Sequence, residues 1–120
     1  MSTRLLGLRT VIYPVSDLAA ATAWWTALLG EEPYFNEPFY VGFAVAGYEL
    51  GLLPDANPAE GALTYWGVDS VPDAMAEAVA VGAVEHTAAT EVGDGIVTGT
   101  VLTAHGSIVG FIVNPHFQLP

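Results

Sequence analysis

The chain contains no cysteine and no lysine, and its two arginines, Arg4 and Arg9, both precede residue 10. Each absence removes a class of function. Without cysteine there is no disulfide framework, no thiolate nucleophile and no sulfur ligand for a metal. Without a basic face, nothing neutralises the phosphates of a nucleic acid or an anionic membrane surface. The net charge of −11, from thirteen acidic side chains, reinforces both exclusions. No apolar run reaches the roughly 20 residues of a membrane span, and the N-terminal MSTRLLGLRT has no secretory apolar core. A cytoplasmic location is the default expectation. Any pocket is constrained too. Beyond Arg9, only His86, His105 and His116 could offer a cationic clamp to an anionic substrate. The expected ligand is therefore small, largely apolar, and neutral or cationic.

What is present speaks for a folded domain. Of 120 residues, 52% are hydrophobic and 12% are charged, which is incompatible with disorder. The stretch FYVGFAVAGYELGLLP, residues 39–54, reads as two short strands, 39–45 and 48–53, reversing at Ala46-Gly47. Glu49 stands in the middle of the second strand, with no charge nearer than Asp55. A carboxylate there either faces water or needs a compensating partner, and strand carboxylates are more often solvated than functional. Gly47 and Gly51 lie two residues away on either side of Glu49. Small neighbours on one strand face leave room for a ligand.

The remaining chain falls into a repeated order. Residues 7–15 read as a strand, and Ser16 or Asp17 caps a helix whose apolar face is Leu18, Ala21, Trp25, Leu28 and Leu29. Gly30 supplies its stop, and Trp24 falls on its flank. A short strand is expected at Tyr34–Asn36, then the central hairpin and a loop at 54–61. The pattern restarts with a strand at 62–68, a cap at Asp69 or Ser70, and a helix with Pro72 in its first turn. Its apolar face is Val71, Met75, Ala78 and Val79, and Gly82 ends it. Strands follow near 84–91, 96–103 and 107–113. Asp17 to Asp69 and Gly30 to Gly82 share an offset of 52, the mark of a duplicated unit. The predicted class is α+β, a single domain of two βαβββ modules, 7–54 and 62–117. One sheet face and one helix cannot close a core alone, so the halves are expected to pack as two curved sheets around a cleft.

At this point the chain resembles a known family. DLAAATAWWTALLG matches the D-L-x-x-A-x-x-[FW]-[YW]-x-x-x-L-G signature of the glyoxalase/bleomycin-resistance proteins, the vicinal oxygen chelate superfamily. The likeness continues through YVGFAVAGYELGL, YWGVDSV and GSIVGFIVNPHF. It implies paired βαβββ modules forming a cleft, and a homodimer, since such clefts are commonly completed across subunits. It also implies a choice of chemistries, because the superfamily holds metal-dependent enzymes and metal-free antibiotic-sequestering proteins. The metal-ligand positions carried over by motif are Thr10, Glu49, Leu63 and Gly110. Only Glu49 of these binds a metal strongly, so no metal and no other cofactor is expected. The usual Asp-Pro-x-Gly turn before the last strand is altered to Thr103-Ala104-His105-Gly106.

Strand alternation places Thr10, Ile12, Glu49, Gly51, Leu63, Tyr65, Gly67, Ile108, Gly110 and Ile112 on one face. Eight of them form the expected ligand wall: Thr10, Ile12, Glu49, Gly51, Leu63, Tyr65, Gly110 and Ile112. The bland alternative is that this face is core, with Glu49 and the Tyr65 hydroxyl satisfied locally. Three functional readings follow in order of support. The first is metal-free binding of a small molecule, of the sequestering or resistance type. The second is a metal-independent enzyme with Glu49 as general acid or base, Thr10 or Tyr65 orienting a substrate oxygen. The third is a metal-dependent lyase or dioxygenase of the glyoxalase type.

Overall fold

The structure, a computed structural model, describes residues 4–119. Its elements run β1 (Leu8–Val15), α1 (Leu18–Leu29), β2 (Phe35–Glu37), β3 (Tyr40–Val45), β4 (Tyr48–Pro54), β5 (Leu63–Gly67), α2 (Val71–Ala80), β6 (Val84–Gly93), β7 (Ile96–Leu102) and β8 (Ile108–Val113). A short 3-10 turn, Pro58–Glu60, fills the loop after β4. The class is α+β with two βαβββ modules, as the sequence predicts. The chain divides into two compact units, one built on Thr10–Leu63 and the other on Thr64–Phe117 with the residues up to Arg9.

In the Thr10–Leu63 unit the strand order is β2-β3-β4-β1. The β1–β4 pair is parallel, with Thr10 opposite Glu49 and Ile12 opposite Gly51. The β3–β4 pair is an antiparallel hairpin. Its turn places both Ala46 (φ 51°) and Gly47 (φ 91°) in left-handed conformations, which a tight two-residue hairpin requires. The Asp17 side chain caps α1 by accepting from the Ala20 N–H at 3.0 Å. Gly30 closes it at φ 72° with its N–H on the Thr26 carbonyl.

Alternation then sorts the strands into two faces. Val41, Phe43, Leu50 and Leu52 are buried beneath Leu18, Ala21, Trp25 and Leu29 of α1, with Val11 and Val15 alongside. Tyr13 stacks on Trp25 at 5.6 Å between ring centroids. The helix stripe is narrower than the sequence predicts, because Leu28 is 61% exposed. α1 is apolar almost all round, so periodicity alone could not say which leucine marks the edge of its contact.

The second unit repeats this plan as β5-β8-β7-β6, with a parallel β5–β8 pair and antiparallel β8–β7 and β7–β6 pairs. Ser70 caps α2 by accepting from the Asp73 N–H at 3.3 Å. Its core holds Val68, Val71, Ala74, Met75, Ala83, Val101 and Phe111. Helix and sheet approach closely at Gly99 on β7, where an added Cβ would lie 2.5 Å from the Met75 Sδ. Val79, expected inside, is exposed, and Ala74 takes the buried position instead. β6 borders this unit; it is exposed along its whole length and its pairing register shifts three times.

These faces give a direct stability test. Leu52→Ala removes a fully buried side chain and should cost about 2–5 kcal/mol. Leu28→Ala should stay within about 0.5 kcal/mol. Urea unfolding of both variants measures the difference, and equal costs would mean the helix stripe is misplaced.

Candidate functional site

On the helix-free face of β1, β3 and β4 lie Thr10, Ile12, Glu49 and Gly51, together as the sequence predicts. Thr10 is buried and Glu49 is half-buried. What compensates Glu49 comes from the protein itself. The Tyr34 hydroxyl donates to its Oε1 and the Tyr40 hydroxyl to its Oε2, so each carboxylate oxygen holds a phenol.

Glycines make this possible. Gly42 and Gly51 face each other across the β3–β4 pair. A Cβ on Gly51 would lie 2.0 Å from the Tyr40 hydroxyl oxygen, and one on Gly42 would lie 3.2 Å from Tyr34 and 3.3 Å from Tyr40. Both rings therefore rest on a side-chain-free floor. The space beside Glu49 was expected for a ligand. At Gly51 it is filled by Tyr40, while Gly47 is spent on the hairpin turn.

Tyr34 keeps 61% of its surface exposed, yet its hydroxyl end is tucked against Glu49. Loss of water around that end, then the hydrogen bond and the negative charge of Glu49, hold the phenol well above its ordinary ionisation range. It stays a protonated donor throughout the physiological range. Beside it, Phe35 packs edge-on to Phe39 (6.0 Å between centroids) and tilted to Tyr40 (6.2 Å), and both phenylalanines are exposed. Sequence reasoning missed Tyr34 and Tyr40. The only signal was the aromatic density of residues 34–40, because their partner lies 15 and 9 residues away.

In the second unit, Tyr65 pairs with Gly110 across β5–β8. Its ring lies over that glycine, where a Cβ would be 2.5 Å from the ring. Burial raises the Tyr65 phenol above its usual range. Ile112 is buried, and Leu63 and Ile108 are half-buried at their strand starts. On the neighbouring β7, Thr100 sits opposite Gly110 and is 2% exposed. Its Oγ1 is 2.9 Å from the His86 Nδ1 and 2.7 Å from the Thr87 Oγ1. A register shift at His86 lets two consecutive β6 side chains converge on Thr100. That irregularity left no sequence signal. His116 donates from Nε2 to the Asp94 carbonyl at 2.9 Å, and His105 lies exposed in its turn.

The register also refines the carried-over positions. Gly51 pairs with Ile12 on the parallel first strand as Gly110 pairs with Tyr65. Continuing the β5–β8 register, Ile108 is the counterpart of Glu49. Neither equivalence supplies a second metal donor. Among the described residues no three His, Asp or Glu side chains cluster, and both oxygens of Glu49 are engaged by phenols. The donor set does not fit a resident metal.

The comparisons bear on this geometry. No family model and no curated protein sequence matches the chain. Solved structures do match. A glyoxalase/bleomycin resistance protein/dioxygenase superfamily member from Vibrio splendidus is 16% identical, with a TM-score of 0.67 over 89% of this chain and 99% of that one. The chain has the glyoxalase/bleomycin-resistance fold. A Streptomyces coelicolor methylmalonyl-CoA epimerase variant, in complex with 2-nitronate-propionyl-CoA, is 17% identical, with a TM-score of 0.74 over 98% and 100% of the two chains. The homoprotocatechuate 2,3-dioxygenase of Brevibacterium fuscum is 16% identical with a TM-score of 0.76; the fold match covers 94% of this chain but 38% of that one.

A broad groove of about 910 Å³ runs elsewhere in the first unit, along α1 and β2. Alanine and threonine of α1 form half of its lining, with Glu32, Asn36 and Glu37 among the rest, and the Thr22 hydroxyl is turned onto the Leu18 carbonyl at 2.7 Å. Its polar side chains, Thr26, Glu32, Asn36 and Glu37, lie along an open wall, whereas Glu49 is the carboxylate fixed by two phenols.

Alkaline titration followed by tyrosinate absorbance tests the phenol network. Of five tyrosines, Tyr34 and Tyr65 should ionise above the ordinary value near 10. Their raised folded values stabilise the fold fully below pH about 10, and that contribution is lost as pH rises beyond it. Tyr34→Phe should remove one late-titrating group. If all five titrate together near pH 10, the network is absent in solution.

Proposed function

We propose that this protein is a metal-free small-molecule binder of the sequestering kind, with its ligand on the helix-free face around Glu49. The ligand is small, largely apolar, and neutral or cationic. One observation carries this reading: a carboxylate fixed by two phenols, bordered by the exposed rings of Tyr34, Phe35 and Phe39. Aromatic faces and a fixed negative charge attract organic cations and flat apolar groups together. The absence of lysine removes any competing ammonium from the protein itself.

The enzyme reading, with Glu49 as general acid or base, is weaker. A base must reach the proton it abstracts, and here both carboxylate oxygens already accept from tyrosines. Two ready phenols would instead suit a ligand whose polar atom displaces one of them.

A homodimer is part of the proposal. β6 is a ten-residue border strand of its unit, exposed throughout, and Trp24 and Leu28 are exposed on α1. Exposed strand edges of that length invite pairing. Light scattering at micromolar concentration should give twice the chain mass, and a strict monomer would remove this element.

The binding reading is tested by a thermal-shift screen of neutral and cationic aromatic compounds. Cationic hits should bind about ten-fold or more weakly to Glu49→Gln, since hydrogen bonds to charged groups contribute roughly 1.5–3 kcal/mol. Neutral hits should lose less. Elemental analysis should find well under one equivalent of divalent metal, and chelator should leave the melting temperature unchanged. If Glu49→Gln lowers the melting temperature but leaves every hit's affinity intact, Glu49 is structural and the site lies elsewhere.

A further inference from the structure

The second unit contains a cavity that the reading above does not use. It measures about 210 Å³ and is lined by Leu6, Arg9, Gly67, Asp69, Ile112 and Phe117, among others. Arg9 is half-buried there, with its guanidinium carbon 3.9 Å above the centre of the Phe117 ring. Such a stack occupies one face of the group and leaves its N–H edges free. Among the described residues no carboxylate or carbonyl accepts from Arg9, although the chain carries thirteen acidic side chains. A guanidinium offers five donors in a fixed fork, and leaving them unpaired is unusual where carboxylates abound.

Two glycines shape the place. A Cβ on Gly67 would lie 2.7 Å from the Arg9 Nε and 3.1 Å from Nη2, and one on Gly7 would lie 3.3 Å from Nη1. Gly67 is bound to the opposite backbone on both sides, its N–H to the Gly7 carbonyl and its carbonyl to the Leu6 N–H, each at 2.8 Å. The fork is thus held by a ring below it and a rigid backbone beside it. That is preorganisation for a planar acceptor, which lowers the cost of binding.

We propose that this cavity is an anion subsite for a small monocarboxylate, gripped in bidentate fashion by Arg9. Its volume is below the roughly 300–1,000 Å³ usual for drug-sized ligands, so the molecule is small. Leu6, Ile112 and Phe117 suit a short apolar tail. Asp69 on the lining and the overall charge of −11 penalise a doubly charged phosphate more than a single carboxylate. The proposal rests on Arg9 and its own cavity, and holds whether or not the Glu49 reading does.

The test titrates isotopically labelled full-length protein with acetate, propionate, butyrate and inorganic phosphate at constant ionic strength, followed by amide shifts. Propionate should bind saturably, with the largest shifts at Gly67, Val68 and Asn114. Arg9→Met keeps an apolar stem over Phe117 but removes the fork, and should weaken binding about ten- to a hundred-fold. Arg9→Lys keeps the charge and should restore only part of the affinity. Asp69→Asn, which leaves Arg9 untouched, should tighten binding a few-fold, roughly as a nearby like charge is removed. Carboxylates binding no better than chloride, or an affinity unchanged in Arg9→Met and Asp69→Asn, would overturn the proposal. Phosphate binding more tightly than propionate would overturn the choice of ligand.

Discussion

A single carboxylate in the middle of a strand sets the terms for the first half of this molecule. Glu49 sits between Thr10 of β1 and Ala44 of β3 on a sheet face with no other charged side chain among its strand partners. A charge in that place is costly unless donors reach it, and no lysine exists to do so. The solution is neutral. Two tyrosine hydroxyls converge on the two oxygens, and they can do so only because Gly42 and Gly51 leave their rings a flat floor. Glycine inside strands weakens them. Here that cost sits next to the one group that needs close neighbours. The two observations explain each other better than either explains itself.

The two halves share a backbone plan but not this device. In the first, a tyrosine from β3 covers the glycine of the parallel pair; in the second, a tyrosine from β5 covers the corresponding glycine on β8. What recurs is an aromatic ring laid over a strand glycine. The carboxylate occurs once, and its counterpart is Ile108. The second half places a different polar group nearby, the Thr100 hydroxyl held by His86 and Thr87. The two halves thus share a packing plan and differ in their polar groups, since a fold does not dictate the chemistry placed on it.

This division also explains what could be read from the sequence. Strand alternation, the caps at Asp17 and Ser70, the stop at Gly30 and the Ala46-Gly47 reversal are local, and each acts within about four residues. They were legible, and with them the α+β plan and the shared face of Thr10, Ile12, Glu49 and Gly51. The helix margins were not. Leu28 and Val79 fit the apolar period but face outward, since an apolar period cannot say how closely the sheet approaches. Glu49 was visible as an anomaly, yet its partners were not, because Tyr34 reaches it only after the chain has passed through β2 and the hairpin. His86 was hidden for another reason: a bulge breaks the alternation on which strand reading depends.

Charge placement follows the same logic of scarcity. Arg9 and Thr10 are consecutive in β1, so their side chains leave the strand on opposite faces. Thr10 shares its face with Glu49, whereas Arg9 turns onto Phe117. Had a guanidinium stood on the Glu49 face, it would have taken the carboxylate in a bidentate pair and left nothing for a ligand to meet. Instead the carboxylate is held by groups that a better acceptor or donor can displace, since a neutral phenol binds it less strongly than a cation would. The guanidinium is likewise held by a ring face, which steadies it without using its N–H groups. Each charge is fixed in place by partners that leave its strongest interaction unmade, and that is the physical condition for recognising something from outside.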